Sequence, residues 1–197
     1  MRTIDKLKSK SARAIAGSAI VMVLALPGIR TVFEQHMLSH MLIQLPLLVI
    51  CGVWIADYIL ERIAFEIELH FALPLLLIAL IASMFWMVPR FLDASLEGYS
   101  YFLLKFISLP LLVGIPLACG WRNVGPVIKS FFMANLLSML IVLAWLYVEA
   151  PIRLCNYYLI NEQQDVGKTI IYIALGISLY WVSKLFIGRA ENTNINV

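Results

Sequence analysis

The chain has 197 residues, of which 62% are hydrophobic and only 14% charged, and its formal net charge is +3. A charged share so far below the roughly 25% of soluble domains excludes an ordinary soluble globular protein and makes the bilayer the expected solvent. The basic residues sit at the ends of apolar runs rather than in patches with interleaved aromatics, so nucleic-acid binding is not expected.

A membrane helix needs about 20 mostly apolar residues. Six such runs can be read, and they use most of the chain, so the sequence predicts an all-α, polytopic helical bundle in a single integral-membrane domain over 1–197. The strongest runs are too long and continuous for the short alternating strands of an outer-membrane barrel. Cys51, Cys119 and Cys155 form no CxxC and leave the redox compartment open.

Arg2, Lys6, Lys8, Lys10 and Arg13 make a basic head before the first helix, about 14–28. Ala25-Leu26-Pro27 offers no good cleavage site, so this segment is read as an uncleaved first helix rather than a signal peptide. The second helix covers about 36–60, with Pro46 expected to kink it. A polar link over 61–70 leads to the third helix, about 69–88. Residues 90–100 read as a short interfacial helix. The fourth helix spans about 101–121, the fifth about 125–150 and the sixth about 166–187. Asn161–Asp165 is expected as a polar loop and 188–197 as a polar tail, disordered at its end. Asp57 is placed near Arg62, and Glu149 near Arg153, as interfacial ion pairs. The basic residues in short loops predict both termini inside and an inner (plasma) membrane, multi-pass protein.

The chemistry concentrates in His36-Met37-Leu38-Ser39-His40-Met41. If the helix begins at His36, His36 and His40 lie one turn apart on one face. Met37 and Met41 fall on the neighbouring face. Met84 and Met87 end the third helix at the same membrane side. Imidazole and thioether ligands suit copper, with thioether favouring Cu(I). The candidate metal set is therefore His36, His40, Met87, Met37 and Met84. The plain alternatives are interfacial histidines satisfied by water, loop carbonyls or Glu34, and methionines that fill gaps in a bundle. No catalytic Ser/His/Asp set, phosphate loop or carboxylate pair stands out, so no enzyme activity is expected.

The His-x-x-x-His run with Pro46 after it resembles the corresponding helix of the CtaG-like cytochrome c oxidase assembly factors. The segment Phe85-Trp86-Met87-Val88-Pro89 through Leu96 is similar to that family's Trp-His-x-Pro segment, with Met87 where the family has histidine. Asn161–Asp165 resembles its Asp-Gln-Gln loop. The family's second histidine pair has no counterpart here; Tyr101, Phe102, Lys105 and Phe106 stand there instead. The resemblance implies delivery of copper to a haem–copper oxidase, with a cytochrome c oxidase subunit or another copper-containing membrane complex as partner. Two readings of other classes stand beside it: a metal-free structural or scaffold subunit of a membrane oxidase or oxygenase, and a small permease, for which the polar residues of the later helices are sparse.

Overall fold

The computed structural model describes residues 2–63 and 69–191. Every regular element among them is helical: α1 (Arg2–Ala25), α2 (Pro27–Glu34), α3 (Met37–Ser39), a π-turn π1 (His40–Gln44), α4 (Leu45–Ile63), α5 (Leu69–Met87), α6 (Pro89–Glu97), α7 (Tyr99–Ser108), a second π-turn π2 (Leu109–Gly114), α8 (Ile115–Asn123), α9 (Pro126–Glu149) and α10 (Ile160–Glu191). Five stretches are long and apolar enough to cross a membrane: Met37–Arg62, His70–Met87, Tyr99–Asn123, Pro126–Glu149 and Ile160–Lys184. A sixth span results if α1 and α2, bent by 79° at Leu26, count as one. The chain is thus an all-α bundle of membrane-protein type, as composition required.

Proline explains the breaks. Pro27 has no N–H and restricts the residue before it, so α1 stops and α2 starts with proline in its first turn. Pro46 and Pro116 cannot donate to the carbonyl four residues back, and their rings crowd that turn. Both lie two residues beyond a π-turn, in which the chain widens: Leu45 N donates to His40 O, and Ile115 N donates to Pro110 O, each five residues back. The two continuous spans therefore carry matching defects. They also pack on one another there. A Cβ on Gly114 would meet Val49 O at 2.5 Å, and one on Gly52 would meet Pro110 Cα at 2.7 Å, so the two backbones approach as only glycine allows.

The antiparallel order brings one set of helix ends together. Lys10 pairs with Glu61, and Arg122 Nη2 lies 2.7 Å from Asp57 Oδ1. Arg13, Arg62 and Lys129 lie toward the same end, called the basic end below. Asp57 thus takes Arg122 rather than the expected Arg62, which donates to Tyr58 OH instead. The antiparallel pair α9–α10 packs mostly on itself, and its contacts to the remainder run mainly through α3 and α5. α10 begins at Ile160, so Asn161–Asp165 is its first turn, not a loop. Residues 64–68, half of the expected link over 61–70, and the tail beyond Glu191 lie outside the described residues.

Candidate functional site: a buried Lys–Glu–His network

At the end opposite the basic one, α2 folds across the bundle and carries Arg30 and Glu34 one turn apart. Arg30 Nε donates to Glu34 Oε2 at 2.7 Å, its Nη2 reaches Ser95 O at 3.3 Å, and its guanidinium lies 4.2 Å over the Phe102 ring. The other carboxylate oxygen, Glu34 Oε1, accepts from Lys105 Nζ at 2.7 Å. Lys105 is fully buried, on α7, and its ammonium also faces His40 Nε2 at 3.1 Å and Gln44 Oε1 at 3.4 Å. An ammonium has three donors and no lone pair, so these three acceptors use it completely.

The remaining contacts assign the proton on His40. Tyr158 OH donates to the Glu34 backbone carbonyl at 2.9 Å. Its single hydrogen is then spent, so its oxygen accepts from His40 Nδ1, also at 2.9 Å. Nδ1 carries the hydrogen, and Nε2 is the lone-pair nitrogen that receives Lys105. A neutral imidazole and a charged lysine satisfy every bond without conflict. The Gln44 amide must turn its oxygen to Lys105, which leaves its buried Nε2 as a donor with no partner. The π-turn matters here: a widened turn sets His40 and Gln44, four residues apart, over the same ammonium.

A second polar cluster ties down the segment between α9 and α10. Gln163 is 1% exposed; its Oε1 accepts from Leu154 N at 2.9 Å, and its Nε2 donates to Tyr147 O at 3.2 Å. Asp93 Oδ2 accepts from Asn156 N at 2.7 Å. Burial, then the Asp93 charge, pushes the Cys155 thiol up to about 12. Burial and the Glu34 carboxylate raise Tyr158 above the ordinary tyrosine range, holding its phenol protonated as the hydrogen bonds require.

The expected copper ligands do not gather. His36 precedes the helix with extended backbone angles (φ −120°, ψ 132°), so the two imidazoles do not share a helical turn. The His36 side chain is 72% exposed and meets Glu162 Oε1 at 3.0 Å, whereas His40 is fully buried. Met37 is fully buried in a cluster that includes Met41 and has Met87 packed against it; Met84 is 45% exposed. Among the described residues no group of three or more His, Cys, Asp or Glu side chains has metal-holding geometry. With both ring nitrogens of His40 occupied and an ammonium on the one with a lone pair, the donor set does not fit a shared copper centre.

The network instead uses residues that the spacing argument passed over: Arg30, Gln44, Lys105 and Tyr158. The available signal was Lys105 itself, a lone lysine inside an apolar run. An ionisable residue in a membrane helix is a functional candidate by default, with a partner to be found. Glu34 appeared in the sequence only as one of several satisfiers for a histidine.

Beneath the network lies an apolar cavity of about 450 Å³, lined among others by Met41, Leu45, Trp86, Met87, Leu109 and Ile170. A second cavity of about 420 Å³ shares Leu117, Phe132 and Leu136 with it and ends at Asp57, Trp121 and Arg122. The two make a cleft between α9 and the α4–α8 face. No protein-family profile matches the chain, and neither does any curated protein or solved structure.

Proposed function

We propose that this chain is a multi-pass inner-membrane protein that assists assembly of a haem–copper cytochrome c oxidase as a metal-free scaffold. The observation that carries the reading is convergence. The three sequence blocks that resemble the oxidase assembly factors lie more than a hundred residues apart at their extremes, yet one side-chain pair joins the first to the third, and the first and second also bond to the segment that leads into the third. His36 of the first block meets Glu162 of the third, His40 meets Tyr158, and Asp93 of the second block holds Asn156. Where that family's copper chemistry would need open imidazole nitrogens, this chain has Lys105 and Glu34. That exchange favours a scaffold over a carrier. The test is affinity purification of the tagged full chain from native membranes, with metal analysis beside it. Oxidase subunits should co-purify, equally with wild type and with His36→Ala/His40→Ala when that variant folds. Oxidase subunits missing from the purified wild type would sink the assembly role.

A second reading keeps copper. Met37, Met41 and Met87 belong to one packed cluster next to His40, and thioethers suit Cu(I). It requires Lys105 to leave His40. Stoichiometric Cu(I) in protein purified under reducing conditions, lost in Met37→Leu/Met87→Leu, would favour it over the scaffold.

A further inference from the structure

The cleft at the basic end has a charged mouth formed by Arg122 and Asp57. Arg122 lines it, with its side chain 41% exposed and one terminal nitrogen on Asp57 at 2.7 Å. A guanidinium carries five N–H donors, so this contact leaves capacity for an oxyanion. Lys129 stands 5.8 Å from the Trp121 ring, which lines the same cavity. Behind this mouth the walls are apolar, and they continue past Leu117, Phe132 and Leu136 into the second cavity.

We infer that the cleft binds one anionic phospholipid, its phosphate on Arg122 beside Lys129 and an acyl chain along the shared wall. Cavities of a few hundred cubic ångströms with apolar walls and few polar groups suit small amphiphiles. Charge selects the headgroup: two cations against one carboxylate favour a phosphate with net negative charge. The positive-inside rule also sets this end at the cytoplasmic leaflet, where anionic lipids are concentrated. Asp57 holds the guanidinium in place and limits the site to a single net positive charge. This assignment is independent of any role in oxidase assembly.

The test is native mass spectrometry of the full chain, delipidated in mild detergent and titrated with phosphatidylglycerol or phosphatidylcholine. One phosphatidylglycerol should be retained in preference to phosphatidylcholine. Arg122→Gln should weaken retention by about five-fold, the scale of one basic side chain at an anionic surface. Asp57→Asn, which loses the same ion pair but keeps the cation, should retain the lipid as well as wild type or better. Met133→Trp, which fills the cavity from α9, should displace it with the headgroup residues intact. Equal retention of both lipids, or equal loss in Arg122→Gln and Asp57→Asn, overturns the proposal. So does disulfide formation between copies through Met133→Cys with no lipid retained, since the cleft would then face a second chain.

Discussion

Lys105 Nζ stands 3.1 Å from His40 Nε2, so the one lone pair on that imidazole faces an ammonium. The relationship fixes the tautomer of the histidine and the charge of the lysine together. It also makes the network a single unit, because each member's bonding depends on its neighbour's proton.

Lys105→Met should therefore be costly. It leaves Glu34 with only Arg30 and deprives His40 and Gln44 of their donor, and breaking a buried pair from one side costs about 3–5 kcal/mol. The expected readout is a large fall in the thermal midpoint of the detergent-solubilised protein. Lys105→Met/Glu34→Gln should recover part of that loss. A double variant no more stable than the single one would show that the two charges are not coupled.

The two histidines should separate cleanly. His36 is exposed, and its contact with Glu162 is an exposed ion pair at most, so His36→Ala should change stability by less than about 1 kcal/mol. His40→Ala removes the partner of both Lys105 and Tyr158 in a buried site and should cost about 2–4 kcal/mol. Equal effects in parallel unfolding curves would contradict the division.

Tyr158→Phe keeps the ring and deletes the hydroxyl that joins His40 to the Glu34 carbonyl. The stability loss should be about 1–3 kcal/mol. Its distinctive effect should be local. Cys155, 2% exposed three residues earlier, should label faster with a maleimide than in wild type while Cys51 and Cys119 stay protected. Unchanged labelling would mean that the hydroxyl does not hold this segment down.

Cys155 also sets a pH dependence. Burial pushes its thiol up to about 12 in the folded chain, against about 9 for a cysteine open to water. Between those values the folded chain holds a proton that the unfolded chain has released. The contribution is whole below about pH 9 and is lost as pH rises toward 12, with a limiting slope of about 1.4 kcal/mol per pH unit. Tyr158, raised in the same direction, adds to the fall. Cys155→Ser should give a shallower loss in unfolding midpoints measured from about pH 8 to 11; a slope identical to wild type would exclude the thiol.

The spans were legible because hydropathy over twenty residues is a strong signal, and Pro27 marked the end of the first helix. Local pattern failed where a polar residue faces protein rather than water. Gln163 belongs to a run that reads as loop, but its amide bridges Tyr147 and Leu154, so the helix begins before it. The spacing of His36 and His40 carries a helical meaning only if both residues are inside the helix. His36 is the residue before it, and one extended backbone step sends its ring outward. Lys105 was visible but had no partner in sight, since Glu34 reaches it only through the bend at Leu26. That bend depends on how α2 lies over the bundle, which is a tertiary fact.

Each π-turn is a helix with one residue too many. Removing a single residue between His40 and Gln44 would let the turn close to α geometry, and the helix on either side would keep its phase, because the widened turn is what absorbs the extra residue. The change would fall on the pair that shares the ammonium, since His40 and Gln44 would then stand three residues apart instead of four. The surplus residue therefore works as a local spacer, bringing an imidazole and an amide to one buried cation without turning the rest of the helix.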